Sequence, residues 1–433
     1  MAEPIIKYGT GGKFEEKIMK EKGKYRLFII FLYFFILKDL LEQKIGVIGY
    51  TDELFALIAL PLFLLFLSKN QFMLPCAKYG FGKFIALFSL IGFAGSIIYA
   101  YQPLRVTLSD MLLCLKFWLV IYVGKVFSQH FSIRAYAGKI YFHVKLLTCM
   151  FAIFILVDNV LKIFPSSIRY GLRSTQLFYS LPTIFVANCV LLTAVLLMVC
   201  KYVKGSRKYF GLLLIMMCTS LRSKAFGVAL AIALIYYLVF RKHQKIQLKM
   251  FVLLIPMVIA IAWQQVEFYF LGSLQSGSAR FQLLAKSFTV ASDHFPIGAG
   301  YGTFASHFSG VSYSPLYEMY GLSQIHGLTK SAPSFVSDSF WPMVMGQFGW
   351  IGTLVFLLAL LMLFVKIQRL KQVNEAYYAS ALSIFAYLMI SSMAEASFVH
   401  SCTIPVAFLL GILTNQEKEP EKEANNGLQE VYT

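Results

Sequence analysis

Apolar stretches, separated by short polar and basic segments, repeat along the whole chain. Each is about 20 residues long, which as a helix matches the ~30 Å hydrocarbon core of a bilayer. Helices of a water-soluble protein would instead carry one polar and one apolar face. The pattern therefore predicts an all-α polytopic membrane protein with about 12 transmembrane helices. The candidate spans are 27–43, 51–68, 83–101, 106–127, 143–164, 181–200, 209–221, 225–240, 248–265, 338–365, 376–394 and 398–414.

One long segment between spans, 266–337, divides the chain. We predict transmembrane helices 1–9 in residues 1–265, an extracytoplasmic loop over 266–337, helices 10–12 in 338–414, and a charged, disordered cytoplasmic tail over 415–433.

Within the long loop, 275–291 is predicted to form an amphipathic helix. Phe281, Leu284, Phe288 and Val290 lie near helical spacing. The run Pro-Ile-Gly-Ala-Gly-Tyr-Gly-Thr that follows at 296–303 is predicted to be a flexible turn.

The charge pattern indicates how the chain is oriented. A net charge of +18 would suit nucleic acid, but the basic residues cluster in short segments between apolar runs. With the N-terminus inside, 27 of the 39 Lys and Arg residues lie on the inner side, as the positive-inside rule requires. We therefore expect cytoplasmic N- and C-termini and a bilayer, not nucleic acid, as partner. The seven cysteines have neither metal-ligand nor redox spacing. We expect no disulfide framework, metal or cofactor.

The stretch 209–240 forms either one helix or two. Arg222, Ser223 and Lys224 interrupt it, and a single helix would move the later basic clusters to the outside. A break at Arg222 keeps them inside. Helices of 13 and 16 residues reach only ~20 and ~24 Å. The turn is therefore predicted below the outer membrane surface, at the floor of a water-filled cavity. Charges at that depth are costly unless solvated or paired, which makes them functional candidates.

Several arginines could bind an anion on the outer side. Arg222, with Lys224 beside it, is either a flanking residue that reaches the interface or an anion clamp, because guanidinium binds phosphate oxygens bidentately at any pH. Arg280, Arg169 and Arg173 lie in outer loops. Four arginines on one side would suit a ligand that carries a pyrophosphate.

Two charged residues near spans have alternative roles. Lys116 lies mid-span and either pairs with an acid of a neighbouring helix, such as Asp110 or Asp158, or serves the anion site. Asp338 precedes an apolar run. It is either a helix N-cap or a carboxylate that positions or deprotonates a hydroxyl.

Histidines and aromatic residues of the outer side complete the candidates. His294, His307 and His326 have no metal-type spacing, so a surface imidazole is the plainer interpretation of each. Glu395 and His400 occupy the last short outer turn and could reach the same cavity. The glycines of 298–302 lack the context of a nucleotide loop. Aromatic side chains could stack on sugars or pack at the interface. The candidates of these classes for substrate binding are His326, Tyr301 and Trp341.

Three segments together resemble the bacterial O-antigen polymerase and ligase superfamily, specifically Wzy-type polysaccharide polymerases. The segment 219-TSLRSKAFGVAL is similar to the family's Arg-containing hairpin between two spans. The segment 278-SARFQLLAKSFTVASDHFPIGAGYGTF resembles its Arg followed by a Pro-x-Gly-x-Gly-x-Gly-x-Phe turn. The segment 338-DSFWPMVMGQFGWIG resembles a helix opened by a polar residue and ending in Gly-x-x-Gly. The likeness covers roughly 200 residues.

One departure favours polymerase over ligase. Ligases of the superfamily place a histidine eleven residues before the first glycine of the third motif, and counting back from Gly349 reaches Asp338. The proposed base of the ligases is therefore replaced by a carboxylate here.

The resemblance implies glycosyl transfer between oligosaccharides carried on undecaprenyl pyrophosphate, at the outer face of the bacterial plasma membrane, with the GT-C-like architecture of O-antigen ligases. A chain-length regulator and a flippase of the same pathway would be further partners. We expect Arg222 and Arg280 to grip the pyrophosphate, Arg173 and Lys116 to support them, and Asp338 to orient or deprotonate the acceptor hydroxyl.

Two alternatives stay open at this point. A ligase of the same fold would use a glycolipid acceptor. A transporter of lipid-linked sugars would usually show broken helices in both halves, whereas the break at Arg222 has no evident counterpart in the first half.

Overall fold

A computed structural model describes residues 11–69, 80–129, 131–246 and 278–416. Apart from one short hairpin, the regular structure of this part of the chain is helical. The hairpin comprises β1 (Ile168–Arg169) and β2 (Leu172–Arg173). The α-helices are α1 (Gly11–Lys44), α2 (Thr51–Lys69), α3 (Gly80–Tyr99), α4 (Leu104–Ser128), α5 (Ile133–Leu161), α6 (Pro182–Val199), α7 (Ser206–Thr219), α8 (Ser223–Phe240), α9 (Ala279–Asp293), α10 (His307–Val311), α11 (Leu316–Met319), α12 (Phe340–Arg369), α13 (Glu375–Ser392) and α14 (Ile404–Leu413).

Six helices of the described part are long and apolar enough to cross a membrane: α3, α4, α5, α6, α8 and α12. They support the prediction of a helical membrane protein. The predicted span 248–265 lies outside the described residues, and each of the other predicted spans overlaps a helix, although 338–365 is interrupted at Gly349 and the helix in 398–414 covers only Ile404–Leu413. α6 lies at the centre of the core, and every one of its residues except Thr183 is buried.

The helix ends meet in two groups. In one group, Lys24 Nζ donates to the carbonyl of Phe127 at 3.0 Å, and the amide of Asn415 donates to Ser128 Oγ at 2.8 Å. These residues lie at segments that the sequence assigns to the inner side. Glu375 contacts both Lys201 and His243, at 3.8 and 3.2 Å, so the end of α6, the end of α8 and the start of α13 also lie together.

The predicted outer segments form the other group. The Ser180 amide donates to Asp39 Oδ2 at 2.6 Å, and the Gln102 amide donates to the carbonyl of Ser312 at 2.6 Å. Each of these contacts joins segments that the sequence assigns to the same side.

The stretch 209–240 is two helices. α7 ends at Thr219, α8 begins at Ser223, and the two pack against each other. Arg222 is the N-cap residue of α8, with an extended backbone at φ −96° and ψ 130°. The break predicted at Arg222 is therefore confirmed, and the chain turns back there as a hairpin.

The predicted continuous span 338–365 is wrong. At Gly349 the backbone of α12 has φ 63° and ψ −165°, a conformation for which glycine is suited. The rings of Phe340 and Phe356 are 5.4 Å apart, although sixteen helical residues would separate them by about 24 Å. Thr353 Oγ1 likewise lies 3.7 Å from Met345 Sδ. α12 therefore consists of two arms that fold back on each other, and its first residues return into the bundle.

The helix predicted at 275–291 is α9, which packs along α12. Its buried side carries Ala279, Leu283, Ser287 and Val290, whereas Phe288 is exposed beside Trp350. The predicted apolar face is therefore wrong for Phe288, whereas Val290 is buried as predicted.

The glycine run after α9 is a packed joint, not a flexible turn. The amides of Ala299 and Gly300 donate to the carbonyls of Gly346 and Gln347, at 3.1 and 2.8 Å. A Cβ on Gly298, which has φ 76°, would overlap the backbone of α12. The run is buried and holds the bend of α12 in place.

Candidate functional site

Lys224 and Glu395 form an ion pair inside the bundle. Lys224 lies in the first turn of α8, and its Nζ contacts Oε2 of Glu395 in the turn after α13. The two side chains are only 15% and 18% exposed. Arg222 caps the same helix end. The charges predicted at the cavity floor are thus inside the protein and in contact with the last predicted outer turn.

A second ion pair joins two other predicted catalytic residues. The guanidinium of Arg280, at the start of α9, lies 3.2 Å from Asp338 Oδ2. Both side chains are about one third exposed, at 32% and 35%. The N-cap residue of α12 is Ser339, not Asp338. The alternative that Asp338 is the N-cap residue is therefore wrong, and its carboxylate is instead held by the guanidinium of Arg280.

The start of α12 contacts the turn between α13 and α14. Trp341 Nε1 donates to Ser392 Oγ at 3.3 Å, and the rings of Phe340 and Phe398 are 4.9 Å apart. Glu395 belongs to the turn between Ser392 and Phe398. The residues just after Asp338 and the turn that carries Glu395 are therefore neighbours.

Lys116 extends the cluster from α4. Its side chain is 3% exposed, and its Nζ lies 3.9 Å from Oε1 of Glu53 near the start of α2. The charges of Lys116, Lys224 and Glu395 all act on the thiol of Cys402. The buried lysine therefore belongs to the same charged region.

The suggested partners of Lys116 have other roles. Asp110 accepts a hydrogen bond from the Gly302 amide at 2.8 Å. Asp158 accepts from the Phe164 amide at 2.8 Å and pairs with Arg173. The prediction that Asp110 or Asp158 pairs with Lys116 is thus wrong, and Lys116 pairs with Glu53 instead. Glu53 was missed, although an acid three residues into an apolar run was a usable signal.

His307 is the loop histidine on which the charge of Lys116 acts. Its side chain is exposed. The protein around it lowers the pKa of the imidazole below its usual value, first by displacing water and second through the positive charge of Lys116. Both effects disfavour the charged form of His307.

The β-hairpin positions the other two arginines. Arg173 lies 3.1 Å from Asp158 and also donates to the carbonyl of Phe164. The Thr175 amide donates to the carbonyl of Thr219 at 2.9 Å, which docks the hairpin on the α7–α8 turn. Arg173 therefore supports the turn structurally. Arg169 is partly exposed on the neighbouring strand.

The predicted sugar-stacking residues differ in access. Tyr301 is fully buried, and its hydroxyl lies 3.3 Å from Ser89 Oγ. A role in substrate contact is therefore wrong for Tyr301, because it packs in the core. Trp341 is partly exposed beside the Arg280–Asp338 pair, and His326 is exposed against Phe335.

His294 is a core histidine and not a surface imidazole. It is 4% exposed, with Nδ1 2.8 Å from the carbonyl of Val290 and Nε2 3.0 Å from the Tyr101 hydroxyl. Both ring nitrogens therefore have partners, and the ring ties the outer loop to the end of α3.

No model of a protein family matches the chain, and no curated protein matches it either. Among the described residues, no group of three His, Cys, Asp or Glu side chains is arranged to hold a metal ion.

Proposed function

We propose that the protein is a polysaccharide polymerase of the bacterial plasma membrane. It joins oligosaccharide units carried on undecaprenyl pyrophosphate and releases undecaprenyl pyrophosphate. The observation that carries the proposal is the ion pair of Arg280 and Asp338, which are 58 residues apart in sequence. The residues just after Asp338 contact the turn of Glu395, and Glu395 pairs with Lys224.

The charges of the cluster suit a pyrophosphate leaving group. Arg222 and Lys224 lie at the N-terminal end of α8, where the helix dipole and backbone N–H groups also favour an anion. Fixed guanidinium groups stabilise negative charge that develops as a bond to phosphate breaks. Four cations, on Lys116, Arg222, Lys224 and Arg280, accompany three carboxylates, on Glu53, Asp338 and Glu395.

The reaction is a displacement at the anomeric carbon. A hydroxyl oxygen of the acceptor sugar forms the new bond to that carbon. The bond from the carbon to the pyrophosphate oxygen breaks, and its electron pair leaves with undecaprenyl pyrophosphate. Asp338 orients the hydroxyl or accepts its proton, while Arg222 and Arg280 bind the leaving group. Trp341 offers a ring for sugar stacking beside them.

The proposal is tested by incubating the purified, reconstituted protein with a defined undecaprenyl-pyrophosphate-linked repeat unit, with and without a chelator. We expect a ladder of polymer that the chelator does not change. Arg222→Ala and Arg280→Ala should each reduce turnover by about a hundredfold or more, the usual scale for removing a group that stabilises developing charge.

The matched control is Arg105→Ala, which removes an exposed arginine at the first turn of α4 and should leave the ladder intact. Transfer only to an added glycolipid would indicate a ligase instead. Uptake of the lipid-linked unit without any product would indicate a transporter. Long polymer from Arg222→Ala or Arg280→Ala would refute the role of that residue.

A further inference from the structure

The Lys224–Glu395 pair lies where the proposed function places a pyrophosphate. Each side chain is less than one fifth exposed, so each charge is largely removed from water and depends on the other. The carboxylate of Glu395 therefore already neutralises the charge of Lys224 when no ligand is bound. An incoming anion has to compete with this carboxylate.

The surroundings of the pair are richer in positive than in negative charge. Arg222 acts on Lys224 through its charge, and Cys402 lies within electrostatic range of Lys116 as well as of both members of the pair. The N-terminal end of α8 adds a partial positive charge. An anion that replaced Glu395 at Lys224 and carried a further negative charge would also be attracted by these cations.

We propose that Glu395 is a resident counter-ion that weakens anion binding at this site, so that a diphosphate still binds and a monophosphate does not. It neutralises Lys224 in the empty protein and is displaced by the diphosphate of the lipid carrier. This inference rests on the proposed function, and it assigns to that site the charge class of its ligand.

Competition sets a threshold for anion binding. A monophosphate exchanges one carboxylate contact for one phosphate contact at Lys224, with little net gain. A diphosphate makes the same exchange and has a second phosphate, with its own charge, that can act on Arg222. The built-in competitor lowers both affinities by the same factor, so their ratio stays the same and the weaker one falls below the useful range. The carrier monophosphate is thereby kept out of the site.

The test is to measure binding of inorganic pyrophosphate and inorganic phosphate to the purified full-length protein by titration calorimetry. The wild-type protein should bind pyrophosphate at least about tenfold more tightly than phosphate. Glu395→Gln keeps the shape of the side chain but removes the competing charge. We expect its affinities for phosphate and for pyrophosphate both to rise about tenfold, so that phosphate binding becomes readily measurable.

Glu318→Gln is the matched control, because it removes an exposed carboxylate of the outer loop and changes the net charge equally. It should leave both affinities unchanged. If Glu395→Gln binds phosphate no more tightly than the wild type, the inference is overturned, and Glu395 is then only a structural partner of Lys224.

A double variant, Lys224→Gln with Glu395→Gln, covers the case in which the single variant is misfolded. It removes both charges and should bind pyrophosphate more weakly than the wild type; equal binding would also overturn the inference. Failure of the proposed function is a separate result, namely no polymer from the wild-type protein, and it does not depend on these affinities.

Discussion

Asp110 lies fully buried in α4 and accepts the amide of Gly302 at 2.8 Å. A second buried acid, Asp158, holds Arg173 and the Phe164 amide. Each acid thus fastens an outer segment to the end of a helix. An acid in an apolar run signals that a partner exists, but the partner is distant in sequence and its identity depends on how the segments pack. This is why Asp110 and Asp158 were mistaken for partners of Lys116.

Replacing Asp110 should loosen the loop that follows the glycine run. Asp110→Ala leaves the buried amide of Gly302 without its acceptor, which costs about 1–3 kcal/mol. We expect a lower midpoint of thermal unfolding in detergent, and faster proteolysis within the outer loop.

Asp110→Asn keeps an acceptor oxygen at this position and should lose less stability than Asp110→Ala. Equal losses in the two variants would mean that the charge of Asp110, and not its hydrogen bond to Gly302, stabilises the loop.

At the scale of helices, sequence reasoning succeeded where length or charge decides and failed where close packing decides. The break at Arg222 follows from the positions of basic clusters along the chain, which the sequence contains in full. The bend of α12 does not follow from the sequence in this way. A glycine inside an apolar run destabilises a helix by only about 1 kcal/mol, so its presence alone does not predict a bend. The bend depends on the contact between Gly298 and Gly349, two residues from different segments.

Gly349 should therefore tolerate no side chain. A residue other than glycine at φ 63° and ψ −165° is strained by about 1–3 kcal/mol, and a Cβ there would crowd the backbone of Gly298. We expect Gly349→Ala to lower the thermal midpoint and to abolish polymer formation, because the first arm of α12 then no longer brings Asp338 to Arg280.

Gly138→Ala is the matched control. This glycine lies in α5 with no atom near its missing Cβ, so the change should be neutral or slightly stabilising. Normal stability and activity of Gly349→Ala would contradict the account of the bend.

At the scale of the whole molecule, the contacts join segments that the sequence assigns to the same side, but they do not say which side faces the cytosol. That assignment follows from the basic clusters. Some of these clusters, at 201–208, 241–249 and 366–371, lie near the contacts of Glu375 with Lys201 and His243. The charge rule and the packing thus agree on which segments belong together, and orientation is the quantity left to measure.

Reporter fusions in a bacterial host measure that orientation. We expect alkaline phosphatase to be active when it is fused after Gly171 or Gly321, and inactive when it is fused after Lys204, Lys242 or Gln416. Green fluorescent protein fused at these last three sites should be fluorescent.

The site after Lys242 is decisive. It lies inside if the chain turns back at Arg222, and outside if 209–240 crossed the membrane as one helix. Opposite results at Lys242 and Gly321 also require one crossing between them, where the span 248–265 is predicted. Phosphatase activity at Lys242 would invert every later segment and place Asp338, Arg280 and Glu395 on the cytoplasmic side, where no outer-face polymerase could use them.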